Sequence, residues 1–502
     1  MSARPTATIE RGDDRAGEVH AFMREREAAM VELLTELARI ESPSDDPAAI
    51  RPVLDRLGAE LRATGLCVRR IRGRRSAGVL VARPSERIRH RPLQLVVGHC
   101  DTVWPVGTTA QMPIDVVGDE IRGPGVFDMK GGLVQLVFAL RALRSLAIEP
   151  PATPVVLVNS DEETGSAESA RTTVRLARCA ARAFVLEPAF GPQGRLKTAR
   201  KAVGEFEIVI RGKAAHAGLS PTEGVSAVLE LSHQIQQLFA LNDPAQGITV
   251  NVGTIDGGVR ANVVAAEVRA QVDVRVPTKS EAARLETAIR SLRPVDPKST
   301  IEVRGGFHHP PLEPSPRNQA LWRRAERLGR TLGLALDQAA VGSASDGNTI
   351  SQYTATLDSL GAVGDGAHAA HEHVIASALT RAPPCSRCCS PRPSTHRAPR
   401  RSTRRRDPRS RGPCARRRGD PRRLPSHLRR RLSLRPVLRS RRPDAHDLQR
   451  APGPARRRGD RDASRSSAPP PSCSKSAPTP TWSASSSGSP SRPTPRTGIG
   501  RS

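Results

Sequence analysis

One apolar run, which ends in a cluster of acids, constrains this chain more than any other feature. Residues 154–160 have the length and the β-branched content of a strand buried in a parallel sheet. Asp161, Glu162 and Glu163 follow the run directly. Because carboxylates are costly to bury without a partner, three of them at the end of a buried strand indicate a bound cation. Strands of this kind commonly carry functional side chains at their carboxyl ends.

The segments on either side of this run alternate between predicted helices and predicted strands. Amphipathic spacing predicts a helix from about 18 to 41, and two further buried strands are predicted over 93–98 and 184–188. A glycine-rich turn over 123–132 opens an apolar helix over 133–146. The alternation predicts an α/β domain with a mainly parallel sheet flanked by helices.

The pattern changes near residue 203. Strand, helix, strand, strand, helix and strand follow one another over 203–308, which is the order of a ferredoxin-like α+β domain. We therefore predict that 203–308 is a separate domain inserted into the first. The α/β pattern then resumes, so the first domain is predicted to consist of 18–202 and 309–381.

The positive charge of the chain is concentrated in its last segment. The formal net charge is +29, but 32 of the 79 Lys and Arg residues and only 6 of the 50 acids lie in 382–502. The remainder is nearly neutral, so the net charge of the whole chain says nothing about its partners. Arg, Pro and Ser dominate 382–502 without hydrophobic periodicity, which predicts a disordered tail.

Two interpretations of this tail follow from the sequence. As a basic arm, it would bind nucleic acid through phosphate contacts, although Trp482 is its only aromatic residue and base stacking is poorly supported. Alternatively, it is the product of a frameshift, because GC-rich codons for 382–391 would encode an apolar helix in a displaced frame. The nucleotide sequence tests this interpretation, which an early stop codon in the displaced frame would exclude.

Cysteine usage and hydropathy predict a cytoplasmic protein. Cys67, Cys100 and Cys179 are scattered through 1–381, which argues against a disulfide framework and fits a reducing compartment. The first residues lack the apolar core of a signal peptide, and no apolar run reaches the length of a membrane span.

Histidine and acid side chains collect at the predicted strand ends and in glycine-rich turns. Taken singly, each is more commonly structural: a Glu-Glu pair is usually solvated, and a lone Asp in a glycine turn usually shapes the turn. Their shared placement instead indicates a metal site, and mixed imidazole and carboxylate ligands suit zinc, cobalt or manganese. The set comprises His99, Asp101, Asp128, Glu162, Glu163, Glu187 and His368.

The order of these motifs resembles the co-catalytic zinc exopeptidases and deacylases. This family includes glutamate carboxypeptidase, aminoacylase, acetylornithine deacetylase and succinyl-diaminopimelate desuccinylase, and the chain resembles the glutamate carboxypeptidase branch most. The resemblance covers about 20–378. It rests on the stretches GHCDTV (98–103), GPGVFDMKGG (123–132), SDEETGS (160–166), EP (187–188), GKAAHAG (212–218) and GAHAAHEHV (366–374).

The resemblance implies a site for two divalent metal ions, of which zinc is the expected identity. One ion would be bound by His99 and Glu187, and the other by Glu163 and His368. Asp128 would bridge the two ions.

The resemblance also implies the chemistry. Asp101, two residues beyond His99, would orient its ring, and Glu162 would act as general base and then general acid. The expected reaction is hydrolysis of the amide bond of an N-acyl amino acid or of the C-terminal residue of a short peptide. Aminopeptidase relatives carry Asp where this chain has Glu187, which favours carboxypeptidase or deacylase chemistry. The peptide between Asp128 and Met129 is expected to be cis.

For the inserted domain, the resemblance implies substrate binding and dimerisation. His216 would reach the site of a partner subunit in a homodimer, and Asn262 and Arg275 match positions on the substrate side. One position departs from the pattern, because Gly306 stands where glutamate carboxypeptidase has an arginine that grips a substrate carboxylate. From another class of function, the alternative is a non-catalytic relative with a tail that binds nucleic acid.

Overall fold

The protein was analysed as a computed structural model, which describes residues 7–86 and 90–380. The predictions for the tail, 382–502, fall outside the described residues. Within them, the helices are α1 (Ala7–Arg24), α2 (Glu27–Arg39), α3 (Pro47–Ala63), α4 (Gly131–Ser145), α5 (Ala170–Cys179), α6 (Ala227–Phe239), α7 (Lys279–Arg290), α8 (Pro316–Thr331), α9 (Asp346–Ile350) and α10 (Ala376–Leu379).

The strands pair into four sheets. They are β1 (Leu66–Ile71), β2 (Val79–Pro84), β3 (Leu93–His99), β4 (Asp115–Val117), β5 (Glu120–Arg122), β6 (Thr153–Asn159), β7 (Ala180–Val185), β8 (Leu196–Arg200), β9 (Ala202–Arg211), β10 (Thr249–Gly257), β11 (Glu267–Val276), β12 (Thr300–His309), β13 (Gln338–Val341), β14 (Ala355–Leu357), β15 (Gly364–Asp365) and β16 (His373–Ile375).

A six-stranded sheet in the order β1-β2-β6-β3-β7-β14 forms the centre of the larger domain. The strands β6, β3, β7 and β14 run parallel, whereas β1 and β2 pair antiparallel at one edge. Alternating side chains of β3 enter different cores: Val96 packs with the helices α1 to α4, and Leu95 and Val97 pack on the opposite face with α5. Both faces are therefore buried, as the continuous apolar runs in the sequence predict.

The first predicted helix differs from the structure in its extent. A single helix was expected over about 18 to 41, but the chain forms α1 and α2 with a break at Glu25 and Arg26. Arg26 leaves the helical conformation there, and its guanidinium lies over the ring of Phe22. The apolar spacing continues across the break, so periodicity alone does not reveal it.

The sheet of the inserted domain has four strands and the ferredoxin-like topology that the sequence predicts. Its elements follow in the order β9, α6, β10, β11, α7 and β12, and its antiparallel strands lie in the order β10-β11-β9-β12. The helices α6 and α7 pack on one face, where Leu231, Leu285 and Ile289 enter a core separate from that of the larger domain. The predicted boundaries at 203 and 308 remain predictions.

A small antiparallel sheet, in the order β15-β16-β5-β4, is absent from the sequence-based prediction. It joins residues near 120 to residues near 374 through the pairing of Val374 with Ile121. Its strands are only two or three residues long, which is too short for a periodic pattern.

The mixed α/β fold class with an inserted α+β domain is confirmed. Among the described residues, no helix combines the length and the apolar character that crossing a bilayer requires.

Gly132 permits the close approach of α4 to the end of β7. A Cβ atom at this position would overlap the carbonyl oxygen of Leu186 and lie 3.3 Å from the Cα of Gly361. We predict that Gly132→Ala lowers the free energy of unfolding by about 1–3 kcal/mol, because overpacking outweighs the gain in helix propensity. Chemical denaturation measures this change.

Gly17 provides the matched control for this prediction. It lies in α1, and a Cβ atom there would meet no atom within 4 Å. Gly17→Ala should leave stability unchanged or raise it by up to about 1 kcal/mol. Equal effects of the two substitutions would contradict the proposed close approach.

Candidate metal centre

The carboxyl ends of three adjacent parallel strands place four candidate residues together. His99 is the last residue of β3, which lies between β6 and β7 in the sheet. Glu162 and Glu163 follow the end of β6, and Glu187 follows the end of β7. Because parallel neighbours end at the same edge, residues about 90 positions apart in sequence become neighbours in space.

Asp128 lies in the turn between β5 and α4. The backbone of Asp128 and Met129 is not helical, and the peptide bond between them is cis, as the resemblance implied. The side chain of Asp128 is largely buried and contacts both candidate histidines, His99 and His368.

The small antiparallel sheet positions His368. It lies in the turn between β15 and β16, and β16 pairs with β5, which precedes the Asp128 turn. His368 has a φ of 61° and its side chain is half-exposed. The pairing therefore brings a residue from the end of the described chain to the edge of the central sheet.

The five predicted metal ligands form two groups that share Asp128. His99 Nε2 lies 3.2 Å from Asp128 Oδ1 and 3.5 Å from Glu187 Oε1. His368 Nε2 lies 3.1 Å from Glu163 Oε2 and 3.6 Å from Asp128 Oδ2. Each oxygen of Asp128 thus faces a different imidazole.

The donor set fits divalent metal ions. Ligand atoms of His99, Asp128 and Glu163 lie within 4.8 Å of one another, as do those of His99, Glu162 and Glu187. Imidazole nitrogens and carboxylate oxygens suit zinc, cobalt and manganese. Four carboxylates surround two imidazoles, so even fully protonated imidazoles would leave the group negative.

The proton affinities of these groups reflect their crowding. Burial raises the pKa of Glu162 well above its usual value, and the nearby Glu187 carboxylate raises it further. Burial also raises the pKa of Glu163, although its hydrogen bond with His368 opposes that effect. The same hydrogen bond raises the pKa of His368 to about 9.

Opposing effects act on the pKa of His99. Burial lowers its pKa, but the carboxylates of Asp101, Asp128 and Glu187 outweigh that effect, and the net pKa is raised. Because a metal takes the unprotonated forms of these side chains, a bound cation would displace protons from the group.

Asp101 contacts His99 differently from the expectation. The Nδ1 atom of His99 lies 3.0 Å from the main-chain oxygen of Asp101 and 3.5 Å from its carboxylate Oδ1. The other carboxylate oxygen accepts hydrogen bonds from Ser44 Oγ, at 2.7 Å, and from the Glu163 amide, at 3.1 Å. Asp101 therefore contacts the His99 ring and also holds the backbone of Glu163.

Glu372 is an important residue to which the sequence assigned no role. Its buried carboxylate accepts hydrogen bonds from the indole of Trp104 and from the amides of Gly125, Phe127 and Asp128, at 2.8–3.1 Å. It therefore ties the His368 segment to the turn that carries Asp128. An acid four residues beyond His368, inside the last matching stretch, was the available signal.

Arg200 is a second residue that the sequence did not single out. Its guanidinium is buried, donates to Asp358 Oδ2 at 2.7 Å and lies 3.3 Å from Glu187 Oε2. It thereby holds one oxygen of Glu187 while the other faces His99. A single arginine in a strand of mixed polarity gives no sequence signal of this kind.

The three predicted substrate-side residues are not joined to this cluster. Within the described part of the chain, no hydrogen bond or ion pair links His216, Asn262 or Arg275 to the candidate ligands. His216 is exposed and lies beside Asn262, whose carbonyl accepts from the Ala217 amide. Arg275 forms an ion pair with Asp273 at 2.7 Å.

Sequence comparisons identify relatives of the chain. Residues 198–297 match the peptidase dimerisation domain of the M20 family. Carboxypeptidase G2 of a Pseudomonas species is 28% identical over 372 residues, which cover 71% of this chain and 87% of that protein. A peptidase M20 domain-containing protein of Schizosaccharomyces pombe is 30% identical over 194 residues, 38% of this chain and 46% of the relative.

Solved structures share the fold. An M20 family metallo-carboxypeptidase of Sulfolobus solfataricus has a TM-score of 0.58 at 16% identity, covering 71% of this chain and 98% of that structure. An aminopeptidase of Bacillus cereus has a TM-score of 0.60 at 21% identity, covering 73% and 97%.

The hydrogen bonds of Glu372 predict a strong effect of its neutral isostere. Glu372→Gln replaces an acceptor oxygen with an amide donor that cannot accept from the buried N–H groups. We expect the free energy of unfolding to fall by roughly 1–3 kcal/mol and zinc affinity to fall with it, because the Asp128 turn loses its support.

Thermal unfolding and zinc titration measure the two effects. Glu120→Gln is the matched control, since Glu120 lies on β5 near the same turn but pairs with Arg122 at the surface. Unchanged stability and zinc affinity in Glu372→Gln would contradict the anchoring role.

Proposed function

We propose that this chain is a di-zinc hydrolase of the M20 peptidase family. It would cleave the amide bond of an N-acyl amino acid or release the C-terminal residue of a short peptide. One observation carries this function: Asp128 presents one oxygen to each of two imidazole–carboxylate groups. Two cations that share a carboxylate are suited to activating one water between them.

The residues that would hold the ions follow from the contacts. His99 and Glu187 would bind one zinc ion, Glu163 and His368 the other, and Asp128 both. When bound, the ions would lower the pKa of a water molecule and polarise the amide carbonyl. Arg200 would keep Glu187 oriented and Asp101 would keep His99 and Glu163 in place.

Glu162 would move the proton during the reaction. It lies with His99 and Glu187 at the strand ends and carries a raised pKa, which favours a group that both accepts and returns a proton. It would accept a proton from the attacking water and transfer it to the departing amine nitrogen. Glu163, held by His368, is assigned only to metal binding.

His216 is suited to donate a hydrogen bond outside its own subunit. Its Nδ1 accepts from the amides of Gly218 and Leu219, at 3.1 and 3.2 Å, so the ring proton lies on Nε2. Nε2–H would stabilise the oxyanion of the tetrahedral intermediate in a partner subunit. Asn262, beside His216, and Arg275 would contact the substrate.

Exposed apolar residues of the inserted domain support a homodimer. They lie on α6, on the edge strand β10 and in nearby loops, and comprise Leu219, Val228, Leu229, Phe239, Ile255 and Val259. Such a concentration of exposed apolar side chains marks an interaction surface. A dimer through this surface would bring the His216 loop of one subunit towards its partner.

The proposed substrate class follows carboxypeptidase chemistry in general rather than glutamate in particular. Carboxypeptidase G2 matches 71% of this chain, and Glu187 matches the carboxypeptidase pattern. Gly306 lacks the side chain expected to grip a glutamate-type substrate. A cytoplasmic location remains a prediction, and nothing in the described residues or the relatives favours the nucleic-acid-binding alternative.

Glu162→Gln tests the proposed chemistry. The amide preserves the shape but cannot accept the proton, so kcat for N-acyl amino acids should fall by about 10²–10⁴-fold, with two zinc ions per chain retained. Substrate hydrolysis and elemental analysis measure these outcomes, and chelation of the metal should abolish the wild-type activity.

Glu149→Gln is the control, because Glu149 precedes β6 and pairs with Arg91 at the surface. If Glu162→Gln hydrolyses the substrates at the wild-type rate with zinc bound, Glu162 is not the base.

Leu229→Glu tests the dimer. Leu229 is exposed on α6, and a charge buried at a subunit contact would be strongly unfavourable. We expect sedimentation to show a monomer and hydrolysis to be lost with the dimer, because His216 would no longer reach a second site.

Val116→Glu is the matched control, since Val116 is exposed to a similar degree on β4 of the larger domain. If the protein remains a dimer in Leu229→Glu but becomes a monomer in Val116→Glu, the dimer contact does not include α6.

A further inference from the structure

A groove on one face of the central sheet lies open in the described part of the chain. The helix α3 packs over β1 and β2 on one face, whereas α5 packs over β3 and β7 on the other. The strip beside α5 forms a cavity of about 940 Å³. Its floor consists of apolar side chains from four strands and α5, namely Ile71, Val81, Leu93, Val155 and Leu176. Sheet faces of this kind are normally closed by a helix, so the groove is an open position in the fold.

Two arginines line each side of this floor. Arg69 of β1 and Arg83 of β2 lie on the groove side of the sheet, where the pairing of Cys67 with Arg83 makes the two arginines diagonal neighbours. On α5, Arg171 and Arg175 are four residues apart and therefore share one face of the helix. The groove thus has an apolar floor between two positively charged walls.

The described residues do not neutralise these guanidinium groups. All four are exposed, and within the described part of the chain the only hydrogen bond that they donate runs from Arg83 to the carbonyl of Pro84, at 3.3 Å. No described Asp or Glu lines the groove. A cleft lined by charges of one sign concentrates ions of the opposite sign. The groove therefore favours an anionic occupant with an apolar side.

The distribution of the charges favours an extended occupant over a ligand with one charged end. The arginines follow both walls, because Arg69 and Arg83 lie at successive positions along the sheet and Arg171 and Arg175 lie one turn apart along α5. The strand β2 has six residues and is about 20 Å long, which is the length of a helix of about 13 residues. A helix with an apolar stripe and acids on both sides of that stripe would contact the floor and both walls together.

The segments of the chain outside the described residues do not have this composition. Residues 382–502 contain 32 Lys and Arg residues against 6 acids, and 1–6 and 87–89 contain arginine but no acid. An occupant with acidic sides therefore comes from another molecule.

We propose that this groove binds an acidic amphipathic helix of a partner protein. Arg69 and Arg83 would pair with acids on one side of the apolar stripe, and Arg171 and Arg175 with acids on the other. The groove includes the first residues of β3 and β6, whereas the candidate metal ligands lie at or beyond the opposite ends of these strands. The partner would therefore leave the metal site accessible, and its binding does not depend on the proposed hydrolysis.

Protection of Cys67 from alkylation tests the proposal on the full chain. Cys67 is exposed in the groove, whereas Cys179 is exposed outside its lining. The probe is a synthetic helix of about 14 residues with Leu at helical spacing and Glu on both sides of the Leu stripe. It should slow the modification of Cys67 by N-ethylmaleimide, measured by mass spectrometry of the digested protein, and leave the rate at Cys179 unchanged. Since the rate is measured at one thiol, peptide bound to the basic segment 382–502 does not contribute to it.

A peptide with Gln in place of Glu separates charge from apolar contact. It should need a roughly tenfold higher concentration to protect Cys67 to the same extent, because it cannot pair with the arginines.

Charge reversal in the groove provides the matched comparison. Arg175→Glu should raise the concentration of the Glu peptide that half-protects Cys67 by roughly tenfold. Arg51→Glu is the control and should leave this concentration unchanged, because Arg51 is exposed on α3, which covers the opposite face of the same strands. Both variants change the net charge equally. A peptide with Lys in place of Glu should protect Cys67 better in Arg175→Glu than in the wild type, which distinguishes lost charge pairing from misfolding.

Several results would overturn the proposal. These are no protection of Cys67 by the Glu peptide, equal protection by the Glu and Gln peptides, and equal effects of Arg175→Glu and Arg51→Glu. Dodecanoate tests the remaining alternative. If dodecanoate protects Cys67 and the Glu peptide does not, the groove binds a fatty anion and the proposed partner is wrong.

Discussion

Mutual repulsion among four carboxylates at one sheet edge is the constraint on which the rest of the structure depends. Asp128, Glu162, Glu163 and Glu187 converge on two imidazoles, and burial together with the nearby Glu187 carboxylate raises the pKa of Glu162. Folding alone would not favour such a cluster, because buried like charges repel one another. A cation bound among these carboxylates would relieve the repulsion and would couple metal binding to stability.

Ion pairs and hydrogen bonds from neighbouring residues position several of the candidate ligands. Arg200 holds Glu187, and Asp101 contacts His99 and the backbone of Glu163. Glu372 accepts hydrogen bonds from three amides of the Asp128 turn. Two of these contacts join segments distant in sequence, Asp101 with Glu163 and Glu372 with the Asp128 turn. The spacing of the ligands is consequently a property of the whole larger domain, and small changes in these supports should alter metal affinity before they alter the fold.

The sequence pointed to the candidate ligands and their convergence, but not to Glu372 and Arg200, which support them. His99, Glu162, Glu163 and Glu187 follow apolar runs, and a strand buried on both faces is recognisable from composition. Their convergence could be anticipated because parallel strands end at a common edge. The strands β15 and β16 were missed because they are too short to show a period, and the buried arginine and the anchoring glutamate were missed because burial is decided by tertiary packing.

The last described residues also matter to the site. His368 depends on β16, which leads directly into α10, where Leu379 is fully buried and its carbonyl accepts from Gln135 of α4 at 3.2 Å. The amino end of α4 follows the Asp128 turn, so α4 and α10 connect the two segments that face each other across the candidate metals. Packing of the residues just before position 381 therefore helps to hold His368 opposite Asp128.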